Sequence, residues 1–486
     1  MGNPFLDGNF APVHQEITST QLDVVGTIPE ELDGRYVRIG PNPVREPDPR
    51  SYHWFLGDGM VHGVRLRGGR AEWYRNRWVR SASVADALGE PRRPGPVHGG
   101  LDFAANTNVI GQAGRTLALV EAGPVPYELT EELETVGPCD FDGTLPGGYT
   151  AHPHRDPVTG EWHAVSYFWE WGNRVRYSVL GNDGRIRRSL DVPVGGSPMM
   201  HDFSLTENYV VLYDLPVTFD VEGAAAGSVP RPLARMFGPL VARLIRRGLP
   251  APVAAAGRRR ATGRGRLRFP YRWDPHYPAR IGVLRRDSTT GKDVRWFEIE
   301  PCYVFHQLNA YEDGERIVLD VIRHPRMFAT WNGPAEGIPT LERWTVDLTS
   351  GAVRQECVDD RGQEFPQVDE RLVGLRHRYG YSIGVGGPGS GRDTVFKQDM
   401  AEGQAAVTRS FGAGREVNEF TFVPRAPESA EDDGILMGYV YNAETGRSDL
   451  VLLDAGTLDT VATIHLPVRV PDGFHGNWLP TEEIPA

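Results

Sequence analysis

A chain of 486 residues with 40% hydrophobic content can bury a large core, and a net charge of −12 argues against general nucleic-acid binding. Three scattered cysteines, Cys139, Cys302 and Cys357, form neither a CxxC pair nor an even-numbered framework, which excludes a disulfide scaffold and reads as reduced thiols. No stretch approaches the ~18 uninterrupted apolar residues of a membrane span.

From the first residues onward, MGNPFLDGNFAPV has neither the basic nor the apolar region of a secretory signal, and Leu6 stands where a myristoylation pattern needs Ser or Thr. The expected compartment is the cytoplasm. Short alternating runs separated by turn dipeptides then dominate. GEWHAVSYFWEW, NRVRYSVLGNDGRIRRSL and ENYVVLYDL read as strands or hairpins, with Asn-Asp-Gly supplying the positive φ of a turn.

The basic segment between Arg231 and Arg268 interrupts that pattern with eleven arginines and no acid, which leaves −23 on the rest of the chain. Within it, residues 231–249 place Leu233, Met236, Phe237, Leu240, Val241, Leu244 and Ile245 on one helical face, with a break expected at Gly238-Pro239. Such a face could pack on its own domain. Its arginine density suits a cationic amphipathic helix lying in a membrane interface, so peripheral membrane contact is expected here.

Strand patterns resume with RIGVLRRDSTTGKDVRWFEI, ERIVLDVIRH, LERWTVDLTSGAVRQECV and GILMGYVYNAETGRSDLVLLDAGTLDTVATIHL. Many short strands at about 8–12-residue spacing imply a sandwich, barrel or propeller. At this length, hairpins without a strong repeated motif favour a propeller with divergent blades. No linker divides residues 1–486, so one all-β domain is expected, and pattern alone does not give the number of blades.

Four of the fourteen histidines, His152 (TAHPH), His201 (MMHDF), His306 (VFHQL) and His475 (GFHGN), sit in short apolar or turn-like contexts. Imidazole suits iron, copper and zinc. The gaps of 49, 105 and 169 residues satisfy no local spacing rule, and a buried histidine bonded to backbone is the commoner case. His154, two residues after His152, makes an HxH chelate conceivable; His62 reads as structural.

The segments GTIPEELDGRYVRIGPNP (Gly26 to Pro43), WFLGDGMVHG (Trp54 to Gly63), YRNRWVRS (Tyr74 to Ser81), ANTNV (Ala105 to Val109) and LALVEAG (Leu117 to Gly123) lead up to the four histidine segments. EFPQVDERLVGLRHRYGY (Glu364 to Tyr381) and EFTFVPR (Glu419 to Arg425) lie between the last two. Taken in this order, the chain resembles the carotenoid cleavage oxygenase family nearly end to end. That resemblance implies a seven-bladed β-propeller with a helical or loop-built cap over an axial metal site. It implies Fe(II) held by His152, His201, His306 and His475, each from a different blade. Glu121, Glu364 and Glu419 would orient those imidazoles, although relatives usually carry proline where this chain has Phe420. Thr107 matches a position that crowds one remaining iron site, leaving one open for O2; an ordinary turn residue is the plain alternative. His154 is left out, because relatives tolerate other residues there.

The implied reaction is cleavage of a conjugated C=C bond by O2 into two carbonyl products, on a hydrophobic polyene substrate. Stilbene-cleaving members place a lysine before the first glutamate, where this chain has Val120, and Lys292 and Lys397 are its only lysines. A carotenoid or apocarotenoid is therefore expected, with a stilbenoid-cleaving dioxygenase of the same fold as the alternative. A non-catalytic binding propeller and a calcium-dependent propeller hydrolase are the readings from other classes; the latter needs oxygen ligands where this chain offers histidines. No protein partner is inferred.

Overall fold

The computed structural model describes residues 3–50, 52–99, 102, 104–220, 269–330, 336–386, 391–401 and 406–481. Their antiparallel sheets form the seven blades of a β-propeller, as the resemblance implied. Blade 1 is built on Gly34–Pro41, Gly59–Arg67 and Arg70–Trp78; blade 2 opens with Asn108–Gln112 and blade 3 with His154–Arg155. Phe203–Leu205, Tyr303–Asp313 and Gln363–Gln367 open blades 4, 5 and 6, and Thr421–Pro424 pairs with Gly434–Asn442 in blade 7.

Both ends of the chain close the ring. Asp23–Gly26 forms the outer edge of blade 7, pairing with Thr460–His465, while Gly476–Pro480 pairs with Gly34–Pro41 in blade 1. Joining first and last blades through strands from opposite ends protects edges that would otherwise be open.

Burial explains why these runs become blades. The innermost strand Tyr303–Asp313 is buried along nearly its whole length, whereas the outer strand Ile186–Pro193 alternates half-buried and exposed residues. Strands covered on both faces read as continuous apolar runs, and edge strands keep the period of two. The largest apolar cluster extends through blades 3, 4 and 5 and reaches the base of blade 6, from Val165 to Met400.

The expected strands of the blades are in place: ERIVLDVIRH gives Arg316–His324, and LERWTVDLTSGAVRQECV gives Thr340–Asp347 and Val353–Asp359. Outside the blades, the α-helix among the described residues is Ala82–Leu88, capped by Ser81 and ended by Gly89 at φ 70°. A two-stranded ribbon, Val217–Phe219 with Tyr271–Trp273, stands within the excursion between the second and third strands of blade 4. The amphipathic segment 231–249 belongs to that excursion and lies outside the described residues.

Candidate metal centre

Each blade delivers one residue to the axis. His152 immediately precedes blade 3, His201 precedes blade 4, His306 lies inside the first strand of blade 5, and His475 precedes the strand that closes blade 1. Glu121 follows the second strand of blade 2, Glu364 lies on the first strand of blade 6, and Glu419 enters blade 7.

Irregular backbone aims several of these side chains. The ladder of Tyr303–Asp313 with Arg316–His324 shifts register between Val304 and Gln307 and again before Asn309, bracketing His306. Another shift, between Glu364 and Gln367, accompanies Phe365 at φ 53°. Ala122, after Glu121, has φ 61°, and Ala105, two before Thr107, has φ 41°. Positive φ is costly for a residue with a Cβ, and bulges re-aim side chains, so local strain is concentrated where the axial residues must point inward.

The four histidines are buried, and one ligand nitrogen from each lies within 4.8 Å of the others. Among the described residues this is the group of four that could hold a metal ion. Carboxylates set the tautomers. His201 Nδ1 is 2.9 Å from both oxygens of Glu121, His306 Nδ1 donates to Glu364 Oε2 at 2.6 Å, and His475 Nδ1 donates to Glu419 Oε1 at 3.0 Å. A carboxylate only accepts, so in a neutral imidazole the proton sits on Nδ1 and Nε2 is bare.

Two observations then test the fit of a cation. The bare Nε2 atoms of His201 and His306 face each other at 3.2 Å, where neither can donate to the other. His152 Nε2 is buried without a hydrogen-bond partner among the described residues. A buried unpaired nitrogen costs about 1–3 kcal/mol, which a cation bound to its lone pair would remove. Nitrogens on one ion at bonds of about 2.0–2.1 Å lie roughly 3–3.4 Å apart, in accord with the closest pair. Four imidazole nitrogens fit a borderline divalent metal such as iron, and fit a hard ion such as calcium badly.

The electrostatics agree. Burial, reinforced by the other three ligand imidazoles, holds His152 well below the ordinary histidine value, so it stays neutral and able to ligate. Burial alone would raise the Glu364 and Glu419 carboxyls, yet the histidines against them outweigh it and hold both below the ordinary value. The carboxylates therefore remain charged and would balance a cation from one layer out.

Thr107 is buried beside this group: its carbonyl accepts from His475 N at 3.2 Å, and its Oγ1 donates to Asn106 Oδ1 at 3.0 Å. His154 stands apart from the ligands, with Nε2 2.7 Å from Asp202 Oδ1. Sequence reasoning passed over Asp202, which also accepts from Gln307 N at 3.3 Å and so ties blade 4 to blade 5 beside both their ligands. It also passed over Gln367, which donates to Glu419 at 2.7 Å, and His324, 2.7 Å from Glu364. Only Asp202 carried a signal, as the neighbour of His201 in MMHDF.

Aromatic rings surround the histidines. Phe305 stands edge-on to His201 at 5.2 Å, and Phe365 lies 5.3 Å from His306 and 5.4 Å from His475. Phe55 extends the surface, 5.4 Å from Phe269 and 5.3 Å from Phe474. The result is a polar, carboxylate-backed metal centre beside an apolar aromatic wall.

Fold and site together define a four-histidine metal-binding propeller. The family model described as retinal pigment epithelial membrane protein (RPE65) matches residues 10–480. A carotenoid cleavage oxygenase of Mycobacterium tuberculosis is 56% identical over 494 residues, covering 99% of this chain and 98% of that protein. A carotenoid 9,10(9',10')-cleavage dioxygenase of Crocus sativus is 30% identical, covering 99% and 90%. Among solved structures, the lignostilbene dioxygenase of Pseudomonas brassicacearum aligns with TM-score 0.80 at 25% identity over 98% of both chains. Cobalt-substituted ACO of Synechocystis aligns with TM-score 0.78 at 27% identity over 97% of both. The chain belongs to the RPE65/carotenoid cleavage oxygenase family and is an enzyme of its dioxygenase class.

Proposed function

We propose that this protein uses O2 and Fe(II) to cleave one C=C bond of a carotenoid or apocarotenoid. Both oxygen atoms enter the products, one in each half, so the alkene and O2 give two carbonyl compounds and no other reductant is needed. The observation that carries the proposal is the meeting of four imidazoles, three of them backed by carboxylates, beside the aromatic wall. Iron held by His152, His201, His306 and His475 would supply the oxygen-binding and redox chemistry.

The protein's own share is binding, orientation and exclusion of water. Glu121, Glu364 and Glu419 keep the ligand imidazoles in one tautomer and one orientation. Thr107, beside His475, would limit access to the metal from its side and so help to restrict where O2 can bind. Phe305 and Phe365 offer flat apolar surface against which a polyene can lie, and a dry wall protects an oxidised substrate from water. Relatives named for carotenoid cleavage, at 56% and 30% identity, do not favour the stilbenoid alternative, and Val120 in place of lysine agrees.

The enzyme would work in the cytoplasm and draw its substrate from a membrane through residues 231–249, a reading that rests on the arginine-rich apolar face of that segment. No helix among the described residues is long and apolar enough to cross a membrane. Incubating the iron-loaded protein with an apocarotenal, with and without O2, and resolving products by HPLC tests the central step. Two shorter carbonyl compounds formed only with O2 are expected; no product despite bound iron would overturn the proposal.

A further inference from the structure

The three carboxylates behind the ligands are themselves held in three different ways. Glu121 stands against the Tyr167 hydroxyl, which burial and that carboxylate keep protonated. Glu419 accepts from Gly476 N at 2.8 Å and from Gln367 Nε2 at 2.7 Å. Glu364 is shared between two imidazoles. Its Oε2 accepts from His306 Nδ1 at 2.6 Å and from Phe365 N at 2.5 Å, and its Oε1 lies 2.7 Å from His324 Nε2.

We infer that His324 is a positioning residue for the metal centre, which holds the second oxygen of Glu364 and thereby fixes the orientation of His306. The inference rests on the metal reading of the four histidines. His324 ends the second strand of blade 5, opposite Tyr303 on the strand that carries His306, while Glu364 comes from blade 6. One carboxylate therefore clamps two strands of one blade to the first strand of the next.

Facing a carboxylate, His324 must donate from Nε2. Its Nδ1 is then a bare acceptor, buried without a partner among the described residues. An unpaired buried nitrogen is a cost, and it is offset by pairing a buried carboxylate oxygen, whose loss of a donor costs more. The ring packs edge-on to Phe305 at 5.2 Å, and Phe305 in turn packs edge-on to His201, so the imidazole has one place to sit.

The test compares His324→Phe, which keeps a flat ring and removes the donor, with His324→Gln, whose amide N–H can reach the same oxygen. His324→Leu replaces the phenylalanine variant should that one not fold. Each protein is loaded with Fe(II) under argon, and iron transfer to a chromogenic chelator is timed alongside the melting temperature of the metal-free form. The phenylalanine variant should release iron about 10-fold faster than wild type and melt lower in its metal-free form, with the glutamine variant close to wild type in both, and release is timed at a temperature where all three are folded. Equal release by all three, or equally fast release by both variants, would overturn the role of His324. Wild-type protein that binds no iron would overturn the metal reading itself.

Discussion

His62 and His163, inside blades 1 and 3, are 3% and 2% exposed, while the four axial histidines are 6–8% exposed, so depth of burial does not distinguish a ligand from a core residue. Partners do. His62 Nδ1 lies 2.9 Å from the Tyr74 hydroxyl and His163 Nδ1 lies 2.7 Å from the Tyr177 hydroxyl. The two pairs repeat one device: each tyrosine sits two residues before the residue paired with the histidine on the adjoining strand. These hydroxyls can donate or accept, and the second nitrogen of His163 is already taken by Arg286 Nη2 at 3.0 Å, whereas the carboxylates behind His201, His306 and His475 take Nδ1–H and, in a neutral ring, leave Nε2 free. Inside the blades the imidazole fills a polar gap; at the axis it is prepared to receive a cation.

That contrast can be broken most severely at the ligands. His201→Ala should abolish cleavage and bring bound iron to a small fraction of one per chain, measured by metal analysis of the reconstituted protein. A fully active variant would return His201 to the class of His62. Glu364→Gln or Glu419→Gln removes the charge that enforces the tautomer while keeping side-chain shape. Iron affinity should fall by about 10–100-fold in a competitive chelator titration, with cleavage falling as iron is lost.

A smaller effect is expected at Thr107, whose backbone carbonyl, rather than its side chain, meets His475. Thr107→Ala should keep its iron and change the turnover rate alone. Loss of iron would mean that the side chain supports the ligands.

The mildest effect sharpens the blade side of the comparison. Burial first, aided by Arg38 and Arg469, lowers His62 from 6.5 to about 3. The unfolded chain therefore binds a proton that the folded chain refuses. Stability is full above about pH 6.5 and is lost as pH falls toward 3, at about 1.4 kcal/mol per pH unit from this residue. His62→Phe should flatten the pH dependence of denaturant midpoints between pH 6.5 and 4 by that slope. An unchanged slope would show that His62 is protonated in the folded protein.

Much of this contrast was legible in the sequence, though by two different routes. Hairpin after hairpin gave an all-β fold, because alternation and turn dipeptides are local signals. The number of blades and the grouping of the four histidines came from the family motifs, since residues 49 to 169 positions apart have no local pattern. Phe420 in place of the usual proline left Glu419 in doubt, yet it reaches His475 as the other two glutamates reach their histidines. His324 and Gln367 were invisible, because they meet their glutamates only through register shifts at His306 and Glu364 that no periodicity announces. The aromatic wall was hidden for a similar reason: Phe55, Phe305 and Phe474 are far apart in sequence and meet only when the ring of blades closes.

The most direct test of the central claim is an anaerobic Fe(II) titration of metal-free wild-type protein beside His152→Ala, counting tightly bound iron per chain. Among the described residues His152 has no carboxylate partner and its Nε2 is buried without a hydrogen bond, so a metal is the partner this account assigns to it. One iron per wild-type chain and a severely weakened site in the variant are predicted. Undiminished iron binding by His152→Ala would contradict the four-histidine centre.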